Sequence, residues 1–166
     1  VASEASAPPT PESPSTADDA PVVFLLEDNP ARLAEMLAVL ALVLPNHRVH
    51  VEDDAARANA AFDRLQGRIE LVSLDHDLDS VVRPGEPPGL DHGDGRQVTD
   101  LIASRQPTCP VIVHTSNTDA GDGMVLALRR AGWPVFRSRP HDRHAWVRTE
   151  WADLLRRLVK LNWVRV

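Results

Sequence analysis

Short apolar runs alternate along the chain with longer amphipathic stretches. Val22-Val23-Phe24-Leu25-Leu26 is uninterrupted apolar sequence of strand length. Glu27-Asp28-Asn29-Pro30 follows it, with a polar strand end, an Asp or Asn helix cap and a proline at the first helical position. The pattern predicts a helix from there to about residue 44, stopped by Pro45. Its second half is apolar all round, the mark of deep burial or of a partner surface such as a homodimer. Residues 47–51 predict a second strand, Asp53-Asp54 caps an alanine-rich helix ending at Gly67, and residues 69–74 predict a third strand. Helices over residues 94–105 and 122–131, strands over 111–114 and 135–137, and a closing helix over 146–160 complete the series. In that last helix Trp146, Leu154, Leu155 and Leu158 form the apolar stripe, while Trp133, Trp151 and Trp163 read as packing residues.

Strands that alternate with helices predict a parallel sheet covered on both faces. Five such units fit the flavodoxin-like doubly wound α/β fold, with strand order 2-1-3-4-5 and a site over the carboxyl ends of strands one and three. One connection breaks the rhythm. Residues 75–93 have no periodic pattern and contain Arg83-Pro84-Gly85-Glu86-Pro87-Pro88-Gly89. Long loops within compact domains are usually functional or disordered, and the 79–93 stretch leaves from the expected active edge, where it could fold over a substrate as a lid.

The 166 residues, 43% hydrophobic and 25% charged, fit one ordinary globular domain. Residues 1–20 are rich in Ala, Ser and Pro and read as a disordered tail; residues 21–160 form the expected domain and 161–166 a C-terminal tail. Of the net charge of -6, four negative charges lie in that first tail (Glu4, Glu12, Asp18, Asp19), which leaves the domain nearly neutral. That argues against a binder of long duplex nucleic acid. Lys160 is the only lysine, so Schiff-base chemistry is excluded. The lone Cys109 cannot form an intrachain disulfide or a cysteine metal cluster, which points to a reducing compartment and a cytoplasmic protein. It precedes Pro110, has no paired base and reads as inert. The longest apolar run, residues 36–44, is far short of the roughly 20 residues a membrane span needs, and residues 1–20 do not resemble a secretory signal.

The strand ends concentrate the chemistry: Glu27-Asp28, Asp75-His76-Asp77, His114-Thr115-Ser116-Asn117 and Arg139-Pro140-His141. Several carboxylates with a few neutral oxygens suit Mg²⁺ or Mn²⁺, with Glu27, Asp28, Asp75 and Asp77 as candidate ligands. Asp75 and Asp77, two residues apart, point the same way along an extended segment. His76, His92, His114, His141 and His144 all lie at or after predicted carboxyl-side strand ends, and of these His76 and His114 are the leading proton-transfer candidates. Each residue also has a plainer reading: Asp28 as a helix cap, the histidines as hydrogen-bonded structural groups, Asp94-Gly95 as a loop-to-helix turn, Ser116 or Asn117 as a cap.

The order acidic pair, strand-terminal Asp, Asp-Gly, strand-terminal Thr/Ser and basic-Pro resembles the receiver domain of two-component response regulators, over residues 21 to about 160. The resemblance implies that Glu27, Asp28 and Asp75 hold Mg²⁺, that Asp75 accepts a phosphoryl group, that Thr115 contacts the phosphate, and that Arg139 stands where a lysine is expected. A guanidinium does not reproduce a lysine's compact point charge. Leu26-Glu27-Asp28-Asn29, Ser73-Leu74-Asp75-His76-Asp77-Leu78, Asp94-Gly95-Arg96, His114-Thr115-Ser116-Asn117 and residues 124–134 are more similar to a divergent branch of this fold, the cyclic-phosphate-processing receiver-like domains. That likeness implies action on cyclic phosphate ends or nucleotides.

The resulting expectation is metal-dependent hydrolysis of a cyclic phosphate, 2′,3′-cyclic on an RNA end or nucleotide. Asp75 and Asp28 would hold the metal, Thr115, Ser116, Asn117 and Arg139 the phosphoryl oxygens, and His76 and His114 the acid and base roles. A nearly neutral domain suits a short end or a mononucleotide. The alternative is a phospho-acceptor receiver or pseudo-receiver that switches a partner protein through helix four and strand five.

Overall fold

A strand buried on both faces must be apolar at consecutive positions, and all five residues of β1 (Val22–Leu26) are buried. The computed structural model describes residues 20–78, 84–87 and 89–166. β1, β2 (Arg48–Glu52), β3 (Ile69–Leu74), β4 (Val111–His114) and β5 (Val135–Ser138) form a five-stranded parallel sheet in the predicted order β2-β1-β3-β4-β5. Helices α1 (Pro30–Val43), α2 (Ala55–Leu65), α3 (Gly95–Ala103), α4 (Thr118–Arg130) and α5 (Ala152–Lys160) cover it.

Alternate strand residues feed two cores. Val22, Phe24, Leu26, Val72 and Val113 pack with Phe62, Val98, Ile102, Met124 and Leu128 of α2, α3 and α4. Val23, Leu25, Leu71 and Ile112 pack with Met36 and Leu40 of α1 and with Trp151, Leu155 and Leu158 from the last helical segment. Only one side of α1 is used: Leu42 on its outward face is 83% exposed.

Asn29, Asp54, Asp94 and Asn117 cap α1 to α4, each side chain accepting from backbone amides of the first turn. α4 starts at Thr118, ahead of the expected residue 122, because Asn117 is its cap. α5 is preceded by one π-helical stretch, Val147–Trp151. In an α-helix residues five apart lie about 140° apart around the axis; the wider π turn lets both Trp146 and Trp151 be fully buried. After α5, Val164 is buried and the Arg165 guanidinium lies 3.4 Å from Glu70 Oε1.

The N-terminal tail expected to be disordered lies, for residues 1–19, outside the described residues, as do residues 79–83 and 88 of the expected lid. Among the described residues no helix is long and apolar enough to cross a membrane.

Candidate functional site

Parallel strands bring their carboxyl ends to one edge. There β1 and β3 are neighbours, while the helices that follow them leave to opposite faces, which opens a crevice. The Asp75 amide donates to the Leu26 carbonyl at 2.9 Å, which sets Asp75 beside Glu27. His114 ends β4 on the other side of β3. One ligand atom from each of Glu27, Asp75 and His114 lies within 4.8 Å of the other two, and all three residues are buried.

Gly95 makes the approach of α3 to this edge possible. Its amide donates to the His76 carbonyl at 2.8 Å, and a Cβ there would meet the Asp75 carbonyl oxygen at 2.0 Å. The Asp94-Gly95 pair thus combines a helix cap with a close backbone contact.

A guanidinium closes the carboxylate cage. Arg32 donates to Glu27 Oε1 from Nε at 3.0 Å and from Nη2 at 2.8 Å, and Nη2 also bonds Asp75 Oδ2 and lies 3.4 Å from Asp28 Oδ1. Arg32 is the third residue of α1, where the helix dipole disfavours a cation. Burial pushes its pKa down, but Asp75, Glu27 and Asp28 outweigh that and hold it above the ordinary value. Burial pushes the Glu27 carboxyl up; His114, Arg32 and the Asn29 amide, which donates at 2.8 Å, bring it below the ordinary carboxylate range. For Asp75 burial wins: with the Glu27 charge it raises the pKa, against the lowering influence of His114, Arg32 and the His76 amide.

His114 is held from three sides. Its ring stacks on Trp146 at 5.9 Å between centroids, Nδ1 lies 2.8 Å from Ser73 Oγ, and Nε2 faces Glu27 Oε2 at 3.3 Å without hydrogen-bond alignment. Trp151 Nε1 donates to the same Ser73 oxygen at 3.1 Å. An indole N–H can only donate, so Ser73 Oγ accepts from Trp151 and its hydroxyl hydrogen is free to bond His114 Nδ1. With that bond made, a neutral imidazole carries its hydrogen on Nε2, directed into the cage. Glu27 Oε2 and His114 Nε2 are buried there without hydrogen-bond partners.

The sequence candidates divide. Glu27, Asp75 and His114 come together, and Asp28 is tied to them through Arg32, whose Nη2 lies 3.4 Å from Asp28 Oδ1. His76 instead turns its Nδ1 to Asp77 Oδ1 at 2.7 Å, with Nε2 3.9 Å from Asp94 Oδ2. Asp77, which pairs with Asp94 in an isolated antiparallel bridge, is outside the Glu27–Asp75–His114 group because the chain bends after Asp75 instead of staying extended. Thr115 is buried at the edge, its Oγ1 accepting the Asn117 amide at 3.2 Å; Ser116 is exposed, and Asn117 caps α4. Arg139 is 62% exposed and reaches Asp122 at 3.4 Å. Arg137 instead bonds the Thr115 carbonyl at 2.8 Å and the Val113 carbonyl at 3.2 Å, and so clamps the β4–α4 turn.

Sequence reasoning missed Arg32, Ser73 and Trp151. The available signals were a cation in the first turn of a helix and a serine inside an apolar strand.

Parallel order, carboxylates at the ends of β1 and β3 and a hydroxyl residue after β4 define the receiver fold of response regulators. Solved structures agree. They include the phosphorylated cyanobacterial phytochrome response regulator RcpA (20% identity, TM-score 0.58, covering 87% of this chain and 94% of that one). The Mn²⁺-bound form of response regulator Rcp1 is similar at 21% identity and TM-score 0.57, over 88% of this chain and 96% of that one. A chain of the CheX-CheY-BeF3-Mg²⁺ complex from Borrelia burgdorferi matches at 16% identity and TM-score 0.56, over 86% and 89%. At such identities the likeness establishes the fold alone. Within it, the chain belongs to the Cyclic-phosphate processing Receiver domain family, whose model matches residues 25–130. No curated protein matches the chain.

Proposed function

We propose that this protein opens cyclic phosphates in a reaction assisted by Mg²⁺ or Mn²⁺, with a 2′,3′-cyclic phosphate on a nucleotide or RNA end as substrate. The observation that carries this reading is the buried convergence of the Glu27 and Asp75 carboxylates with the His114 imidazole. The family name points to the same chemistry.

Fit to a divalent cation is supported by the donor set and by the orphaned Glu27 Oε2. Glu27, Asp28 and Asp75 are the residues that would hold it; a similar receiver, Rcp1, is described in a Mn²⁺-bound form. When bound, the cation supplies Lewis-acid polarisation of the phosphoryl group and lowers the pKa of its water. His114 donates a hydrogen bond from Nε2 to the departing sugar oxygen and is held for that by Ser73 and Trp146. Thr115 and Ser116 line the phosphoryl side of the edge, on a turn fixed by Arg137. Water adds to phosphorus, the bond from phosphorus to one sugar oxygen breaks, and that oxygen takes the proton that the water gives up. Arg139 and His76 have no part in this assignment.

The signalling alternative has support in the fold, since RcpA is described as phosphorylated. Against it, Lys160, the only lysine, is the last residue of α5, away from the strand ends. The test is a panel of 2′,3′- and 3′,5′-cyclic nucleotides and cyclic-phosphate-ended RNA, with Mg²⁺ or Mn²⁺, for wild type, Asp75→Ala and His114→Ala. Turnover by wild type and its loss in both variants is expected. No turnover, or variants that match wild type, would move the reading to a switching module.

A further inference from the structure

Arg32 has a relation to the carboxylate cage that the proposed chemistry leaves unexplained. Its guanidinium touches Glu27, Asp28 and Asp75, the three carboxylates assigned to the metal. Of the side chains in the cluster it alone reaches solvent appreciably, at 16% exposed, while those of Glu27 and His114 are at 0% and those of Asp28 and Asp75 at 2%. It is therefore both the counter-ion of the cage and its cover.

We infer that Arg32 and a divalent cation are alternative occupants of this cage, so that metal loading requires the guanidinium to swing out and thereby opens the site. The inference rests on the metal reading above. Three ionised carboxylates against one guanidinium leave two negative charges in excess, so Arg32 neutralises the cage only in part and a divalent ion is the better match. The two cations compete because they draw on the same carboxylates: Arg32 already holds Glu27 Oε1 and Asp75 Oδ2. Arg32 has the freedom to leave. It is in the first turn of α1, on a long side chain, at a helix end that repels positive charge.

Three consequences are measurable. Replacing Arg32 by a neutral residue of similar reach removes the competitor, so metal binds more tightly. The metal-free protein loses its internal counter-ion and becomes less stable. In the wild type, Mg²⁺ drives the Arg32 side chain into solvent.

The test is calorimetric titration of wild type and Arg32→Gln with Mn²⁺ alone, together with the Arg32 Nε–H resonance of wild type with and without Mg²⁺. Arg32→Gln is expected to bind Mn²⁺ at least about tenfold more tightly, a difference of roughly 1.4 kcal/mol, and the wild-type resonance to move to its solvent-exposed position at saturating Mg²⁺. The resonance experiment needs no variant and stands even if Arg32→Gln does not fold. Equal affinity in the two proteins, or a resonance unmoved at saturation, overturns the role of Arg32 while leaving the metal site intact. Absence of binding to both proteins overturns the metal reading and this inference together.

Discussion

Ser73→Ala isolates the His114 assembly. The change removes one oxygen that accepts the Trp151 indole N–H at 3.1 Å and lies 2.8 Å from His114 Nδ1. Ser73, His114 and Trp151 are all fully buried, so water does not replace the lost partner. Each buried polar group left without a partner costs about 1–3 kcal/mol. Two such groups put the loss at about 2–6 kcal/mol, a large share of the roughly 5–15 kcal/mol that holds a domain together. Urea unfolding reads the stability, and ¹⁵N–¹H multiple-bond spectra of the imidazole read the tautomer. Wild type and Trp151→Phe should show His114 protonated at Nε2, because the Ser73 hydroxyl persists in both. Ser73→Ala should lose that fixed tautomer. A wild-type His114 protonated at Nδ1, or a Ser73→Ala cost below about 0.5 kcal/mol, as for an ordinary surface change, would refute the donor–acceptor argument.

Three further outcomes follow from the geometry. Asp75 has a folded-state pKa raised chiefly by burial, so its ionised form destabilises the metal-free fold: Asp75→Asn should be at least as stable as wild type at pH 7, and the difference should close as pH falls toward about 4, the ordinary carboxylate range, where wild-type Asp75 is itself neutral; a wild type that stays the more stable at pH 7 contradicts this. Gly95→Ala places a methyl group 2.0 Å from the Asp75 carbonyl oxygen, a backbone atom that cannot move cheaply, and should destabilise by about 1–3 kcal/mol in thermal or urea unfolding. Cys109 is buried and its thiol pushed up to about 12, so the native protein should resist alkylation at pH 8 and react only after unfolding, as mass spectrometry of the treated protein would show.

The sheet was legible because its signal is local. Val22-Val23-Phe24-Leu25-Leu26 is apolar at every position because two cores claim its two faces. Asn29 and Asp54 mark helix starts by their own side-chain chemistry. The early start of α4 was hidden: Thr118-Asp119-Ala120-Gly121 has no apolar period, and Gly121 is where the Arg137 guanidinium packs, within 2.2 Å of where a Cβ would stand. Site residues at strand ends could be listed from topology, but topology does not say which way each side chain turns. The two-residue spacing put Asp77 on the same side as Asp75, and the bend at His76 turns it elsewhere. Arg139 matched a motif position, whereas the cation in the cage, Arg32, comes from the turn of α1 folding back on β1 and β3.

Mass spectrometry of one reaction mixture tests the central claim most directly. Wild-type protein is incubated with 2′,3′-cyclic AMP and Mn²⁺ in ¹⁸O-labelled water, and both nucleotide and protein are weighed. The account predicts an opened nucleotide carrying one ¹⁸O on phosphorus and a protein of unchanged mass. An unopened nucleotide, or a phosphoryl-containing adduct that persists on Asp75, would contradict it.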